Sequence, residues 1–336
     1  MRCRKCSEKA VINMRQHKLA LCREHFLEWV PEQTQRFIQK YQMFTPDDRV
    51  LVAVSGGKDS LALWDVLLRL GYQADGLYID LGIDYPDGES YSGESLEKAQ
   101  GFVKSFWPDA RLEVVDVGTL YGASIPEAAR ISNRGRGKPC SVCGLVKRHV
   151  MNRVAVRHAH DVAWEGNYAA LATGHNLDDE AAVLMSNVLH WQTGYLARQA
   201  PTLPPSHPGL AKKVKPFCRF YERETAAYAL IRGIDYVYDE CPHSVGSKTI
   251  YYKELLNQLE QESPGAKLQF YLSFLRAKKK DGLFAQIEER VTLNACERCG
   301  QPTSAPGTCA FCRLWDRIGQ VKGTAVAVRH AHDVVF

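Results

Sequence analysis

Apolar and polar positions along the chain alternate between two periods. Arg49–Val54 is a short, mostly apolar run, the pattern of a buried strand, and Asp59–Leu70 then turns apolar at helical spacing. Ala74–Asp80 predicts a second strand. The stretch from Gly82 to Gly93, rich in Gly, Asp, Ser and Pro, predicts a loop. A helix near Ser95–Ser105 and a strand over Arg111–Val117 follow, then a helix over Gly144–Arg157, a strand over Ala169–Thr173 and a helix over Leu177–Leu189. Gln199–Pro208 is Pro-rich and predicts a long loop. Glu222–Arg232 predicts a helix leading into a strand at Tyr236–Tyr238, and the pattern from Thr249 to Val291 is helical. Strands alternating with helices predict the α/β class, a doubly wound parallel sheet covered on both faces. Met1–Trp29 is a cysteine/histidine module, Pro31–Asp48 a polar stretch and Cys296–Cys312 a second cysteine module. The expected division is 1–30, 45–245, 246–291, 292–316 and a tail over 317–336.

Composition narrows the class. With 45% hydrophobic and 24% charged residues, the chain is globular, not disordered or collagen-like. No apolar run approaches the ~18–20 residues of a bilayer span, and charges run through the first 30 residues. The expectation is a cytoplasmic protein with no membrane anchor. A net charge of +5 permits a polyanionic partner without requiring one.

Eleven cysteines change the picture. In a chain without a secretion signal, cysteines clustered in pairs point to metal. Cys3-x2-Cys6 and Cys22-x2-His25, 15 residues apart, supply three sulfurs and an imidazole for one tetrahedral Zn²⁺. Cys296-x2-Cys299 and Cys309-x2-Cys312, nine residues apart, form a four-sulfur zinc ribbon. Both sets are closed, hence structural. Cys140-x2-Cys143 has no second pair nearby and follows a basic, glycine-rich loop, Arg134-Gly135-Arg136-Gly137-Lys138-Pro139. A third sulfur, from Cys241 or from Cys218, would make a set able to hold a [4Fe–4S] cluster with one iron open to a ligand.

Two strand-to-helix junctions carry the chemistry. In Ser55-Gly56-Gly57-Lys58-Asp59-Ser60 the glycines allow close approach of a ligand, and the helix start points free N–H groups at it, a phosphate site without the Walker pattern. This segment resembles the PP-loop of the adenine-nucleotide α-hydrolase-like superfamily. That resemblance implies cleavage of ATP between its α and β phosphates and adenylation of a substrate oxygen. In the second junction, Ala172–Ala182, Asp178 and Asp179 either cap the helix or serve Mg²⁺ and proton transfer.

The chain as a whole, from Cys3 to about Trp315, resembles the tRNA 2-thiouridine synthetases of the TtuA/TtcA family. The carriers are the run from Leu19 to His25, SGGKDSLALWDVL from Ser55, Cys140–Leu145, GHNLDDEAAVL from Gly174, VKPF from Val214, Glu240-Cys241-Pro242 and the ribbon ending at Arg313. The resemblance implies catalytic roles for Asp59, Lys147 and Asp179. It implies binding of ATP with Mg²⁺ by Ser55, Gly56, Gly57, Asp59, Ser60, Gly174 and His175. It also favours Cys241 over Cys218 as the third ligand of one [4Fe–4S] cluster beside two Zn²⁺. The implied partners are tRNA, thiolated at uridine 54 or 34, a ubiquitin-like sulfur carrier and a second copy of the chain. RNA contacts are expected from Arg134, Arg136 and Lys138, from Lys212, Lys213 and Lys215, and from Arg276, Lys278, Lys279 and Lys280. Two other readings compete. One is a PP-loop synthetase adding nitrogen, which lacks a glutaminase domain here. The other is a non-catalytic zinc-ribbon RNA-binding protein, which would not need Asp59, Lys147 and Asp179. Against the family pattern the chain carries extra residues near His158–Tyr168, overlapping the first copy of VAVRHAHDV (154–162), which recurs at 326–334.

Overall fold

The computed structural model describes residues 1–156, 168–287 and 292–323, so most of the repeat, the extra segment before Tyr168 and the end of the tail lie outside the described residues. A hairpin of β1 (Ile12–Met14) and β2 (Leu19–Leu21) precedes α1 (Arg23–Lys40). The alternation then runs β3 (Arg49–Val54), α2 (Lys58–Arg69), β4 (Gln73–Asp80), α3 (Tyr91–Phe106), β5 (Leu112–Asp116), α4 (Val117–Tyr121), α5 (Ile125–Ser132), α6 (Pro139–Ala155), β6 (Ala170–Thr173) and α7 (Leu177–Leu189). The chain continues through α8 (Thr193–Arg198), β7 (Thr202–Leu203), β8 (Lys213–Val214), α9 (Glu222–Arg232), α10 (Lys248–Glu262) and α11 (Ala266–Lys280). It ends in the ribbon hairpin β9 (Asn294–Ala295) and β10 (Pro302–Thr303), and α12 (Ala310–Lys322). No helix among the described residues is long and apolar enough to cross a membrane.

The main sheet has six strands in the order β5-β4-β3-β6-β8-β7, all parallel except the edge strand β7. Strand residues alternate between two apolar layers, as a period of two requires. Val50, Val52 and Val54 face a layer built from α1, α2, α3, α7, α9 and α11, while Leu51, Leu77 and Ile79 face one built from α5, α6 and α12. The doubly wound expectation therefore holds. The order reverses between β3 and β6, so the loops leaving those two strands meet at the switch point where such sheets bind ligands.

Several elements differ from the sequence expectation. The polar stretch after Pro31 is helix: α1 runs on to Lys40 and buries Phe26, Trp29, Val30, Phe37 and Ile38 on one stripe, so residue 30 is mid-helix. α6 starts at Pro139, not Gly144, with Pro in the first turn where its missing N–H costs nothing. The Pro-rich loop leads into β7 and β8. Tyr236–Tyr238 is not a strand, although the Val237 amide donates to the Gly56 carbonyl at 3.0 Å. The helical region after Thr249 divides after Glu262, and Gly265, at φ +99°, caps the start of the second helix, and residues 288–291 lie outside the described residues. Helix α12 carries the ribbon into the expected tail, as far as Lys322.

Candidate active site and metal centres

The loop Ser55–Gly57 leaves β3 and turns straight into α2. Gly56 sits at φ +77°, and a Cβ there would stand 2.4 Å from the Ser95 carbonyl oxygen, so only glycine fits. Gly57 caps α2 in extended conformation, with no side chain satisfying the first amides of the helix. Ser60 pins the loop shut: its hydroxyl accepts from the Ser55 amide at 3.1 Å and donates to the Gly57 carbonyl at 3.0 Å. Gly174, leaving β6, packs against the backbone of Asp59 and Ser60. The two junctions singled out in the sequence are thus one structure.

Around them runs a chain of alternating charges. Lys58 Nζ lies 3.2 Å from Asp59 and 2.8 Å from Glu222, while Lys253 Nζ lies 3.1 Å from Glu222 and 2.7 Å from Asp179. Asp59 also accepts from Thr225 Oγ1 and, at 3.3 Å, from Asn176 Nδ2. Burial pushes the Asp59 carboxyl up, and Lys58 and Thr225 offset that only in part. For Glu222 burial acts the same way, but Lys253 and Lys58 outweigh it and hold the carboxyl below its usual range. Lys253 is raised because Asp179 and Glu222 outweigh its desolvation.

Of the two aspartates opening α7, Asp179 forms a capping box with Asn176 and faces Lys253. Asp178 instead turns inward, pairing with buried Lys267 and accepting from the Glu222 amide at 2.9 Å. His175 is exposed, its Nδ1 3.1 Å from Thr173 Oγ1. Asn176, Glu222, Thr225 and Lys253 were not anticipated. Only Asn176 had a local signal, as a helix cap three residues before Asp179.

A cavity of about 140 Å³ opens beside Ser55, lined by Cys143, Lys147 and Cys241 with apolar and hydroxyl groups and no carboxylate. Cys140 stands one turn back on α6, exposed, its thiol donating to the His243 carbonyl at 3.3 Å and so tying the Cys241 loop to that helix. Burial pushes the Cys143 thiol up, partly countered by Lys147. Two thiols and no carboxylate line this cavity, a lining that suits a soft metal centre; Cys140 stands outside the lining, and the three sulfurs are not gathered within 4.8 Å as the two terminal sets are. Cys218 is elsewhere: it is fully buried in the opposite apolar layer, where burial drives its thiol far upward.

The two expected zinc sets come together, each with its ligand atoms within 4.8 Å of one another. Cys6 and Cys22 sulfurs are 3.7 Å apart, Cys299 and Cys309 3.8 Å, and Cys296 and Cys312 3.9 Å. A tetrahedron with Zn–S of about 2.3 Å has edges of roughly 3.8 Å, so both sets fit the ion. Cys22 and Cys309 each cap a helix, α1 and α12, whose N-terminal dipole favours a thiolate.

The basic clusters are less free than their sequence suggests. Lys215 pairs with Glu180 at 2.7 Å, Lys212 donates to the Gln42 carbonyl, and Lys278 donates to the Ala197 and Gln199 carbonyls. Arg134, Arg136 and Lys138 remain exposed beside Cys140.

Residues 2–27 match the family described as "2-thiouridine synthetase TtuA, N-terminal LIM domain". The chain is 52% identical to the tRNA-5-methyluridine(54) 2-sulfurtransferase of Thermus thermophilus, over 95% of this chain and 92% of that one. It is 38% identical to the protein of that name from Thermotoga maritima, over 97% of this chain and 100% of the relative. The U34-tRNA thiolase NcsA from Methanococcus maripaludis, solved with its [4Fe–4S] cluster, has the same fold, with a TM-score of 0.72 at 23% identity and 96% of each chain covered.

Proposed function

The chain belongs to the tRNA-5-methyluridine(54) 2-sulfurtransferase family, and from that premise we propose that it replaces the C2 oxygen of a tRNA uridine with sulfur, using ATP. The relatives at 38–52% identity are named for position 54, and we assign this chain the same uridine. The observation that carries the reading is the meeting of two half-sites at one sheet edge: a phosphate loop, and a thiol-lined cavity that shares Ser55 with it.

In this reading the Ser55–Ser60 amides and the α2 dipole hold the polyphosphate, with Asp59 and Asp179 as the Mg²⁺ carboxylates and Gly174 and His175 at the nucleotide's edge. The uridine C2 oxygen attacks the α-phosphorus, and the bond to the bridging oxygen breaks to release pyrophosphate. Lys58 and Lys253, now shared among three carboxylates, are placed to take up charge on that leaving group. Sulfur then adds to C2, the C2–O bond breaks, and the oxygen departs with AMP. Lys147, inside the cavity, faces the charge that develops on the way. Cys140, Cys143 and Cys241 would hold a [4Fe–4S] cluster, which supplies an iron with an open position for the incoming sulfur. Two Zn²⁺, one in each closed set, stabilise the terminal modules. By resemblance alone, the sulfur comes from the thiocarboxylate of a ubiquitin-like carrier, and the chain works as a homodimer. Cysteines paired at metal-ligand spacing, with no disulfide, support a reducing, cytoplasmic setting.

The test is anaerobic reconstitution with iron, tRNA, ATP and sulfide, followed by mass spectrometry of the nucleosides. The expected products are 5-methyl-2-thiouridine, AMP and pyrophosphate. Release of ADP and inorganic phosphate without thiolation contradicts the reading.

A further inference from the structure

The proposed substrate is a polyanion, yet Lys212, Lys215 and Lys278 already have partners inside the fold. A different group of cations has no carboxylate partner among the described residues. A cavity of about 500 Å³ opens between α1, the segment leaving the carboxyl end of β8, and the start of α11. Gln33, Arg36, Phe37 and Lys40 line it from α1, at the spacing that places them on one helix face. Arg219 closes the other side, its guanidinium 4.8 Å from the Phe37 ring centre and its Nε buried without a hydrogen-bond partner. No carboxylate lines the cavity, and among the described residues none pairs with Arg36, Lys40 or Arg219. His17, at the rim, is held by Glu224 at 3.3 Å. Lys40 is pushed down by burial and by the facing charges of Arg219 and Lys279.

Cations of one sign gathered round one cavity repel each other, and an anion seated among them would relieve that repulsion. The place of the cavity says which anion. Its wall residue Phe220 accepts from the Leu177 amide at 2.8 Å, and Leu177 opens the helix that carries Asp179. The cavity wall is thus joined directly to the helix that bears one of the proposed Mg²⁺ carboxylates. Arg36 and Lys40 are exposed, so a phosphate still attached to its strand can enter.

We propose that this cavity seats a backbone phosphate of the substrate RNA, with Arg36, Lys40 and Arg219 as donors and Phe37 and Phe220 as an apolar wall. The proposal rests on the tRNA reading above, and it concerns a site separate from the Ser55 loop that takes ATP.

The test compares wild type with the Arg36→Gln/Lys40→Gln double variant. Both side chains are exposed, and an unchanged melting temperature verifies the fold. Binding of unmodified tRNA is measured across a salt series. The expected result is an affinity about tenfold weaker at low salt and a log K against log[salt] slope shallower by about 1. KM for tRNA rises while kcat at saturating tRNA is kept. Equal affinity and slope in the two proteins overturn the proposal. So does a variant that loses only stabilisation by inorganic phosphate, because the cavity would then serve small anions. Wild type that fails to bind tRNA at all removes the tRNA reading itself, an outcome distinct from the other two.

Discussion

Gly174→Ala tests the contact that joins the two halves of the site. A Cβ at position 174 would stand 2.8 Å from the Asp59 carbonyl carbon and 2.9 Å from both its oxygen and the Ser60 nitrogen. All three are backbone atoms in the first turn of α2, so no rotamer change relieves the overlap. Ordinary contact begins at 3.4 Å, so one loop must move by several tenths of an ångström. Overpacking of this kind costs about 1–3 kcal/mol. At roughly 2–4 °C per kcal/mol, the melting temperature should fall by a few degrees. The chemical loss should be larger than the loss of stability. The shift separates Asp59 from Asp179, and a misplacement on the order of 1 Å costs ~100-fold in rate. We expect kcat/KM for tRNA-dependent pyrophosphate release to drop about 10–100-fold, with zinc content unchanged. Wild-type activity at an unchanged melting temperature would refute the packing of the two loops, and with it the assembly of one site from both.

Four further outcomes are expected. Cys241→Ala should lose reconstituted iron and thiolation, whereas Cys218→Ala should keep both, as read by the broad absorption near ~400 nm that Fe–S centres show. Lys253→Met should lower kcat by about 100-fold or more, because Asp179 and Glu222 lose their shared cation. Glu222, held below its usual range, contributes stability that is present above the ordinary Glu pKa and is lost as pH falls through the lower folded value; in Lys253→Met, where that depression is reduced, a pH series of melts should show a smaller acid-side loss than in wild type. Gly101→Ala, on α3 with nothing within 4 Å of the new methyl, should stabilise by about 0.5–1 kcal/mol with activity unchanged.

The sequence is legible where the signal is local. The bounds of α7 and α9 agree with their residue patterns, since α7 begins at a capping box, α9 begins where the Glu224 carboxylate accepts from the Tyr221 amide, and α9 ends at Gly233 with φ +79°. The zinc sets are legible because each ligand pair is built from neighbours in the chain. Pro31 misled, because a proline past the first turn ordinarily breaks a helix, while the buried stripe from Phe26 to Ile38 holds α1 together across it. Tyr236–Tyr238 has strand composition yet lies against the phosphate loop, a choice made by tertiary packing. Glu222 and Lys253 left no trace because their partners come from α2 and α7, far away in the chain. A lysine on an amphipathic helix reads as a solvated face until the fold places carboxylates around it.

The placement of the zinc ribbon has a physical reason that its spacing alone does not disclose. Helix α6 carries Cys140, Cys143 and Lys147 in its first half and His149 and Asn152 in its second. The His149 ring stacks on Phe311 of the ribbon helix α12, with centroids 3.5 Å apart, and Gln301 donates to the His149 carbonyl at 3.1 Å. Asn152 donates to the Gly209 carbonyl at 3.0 Å and accepts from the Ala211 amide at 2.8 Å, fixing the same helix to the segment that enters β8. The ribbon therefore clamps the far end of the rod whose near end presents Cys143 and Lys147 to the cavity. A helix held at one end by stacking and side-chain hydrogen bonds has little freedom to slide, and such fixity is what a thiol pair needs to meet a third sulfur arriving on the Cys241 loop. The N-terminal set acts on the other layer, where Cys22 caps α1 and so anchors the helix that supplies Arg36 and Lys40. One closed set thus caps the helix that carries Arg36 and Lys40, and the other caps the helix packed on α6, so under the proposed function both are structural in coordination and positional in effect.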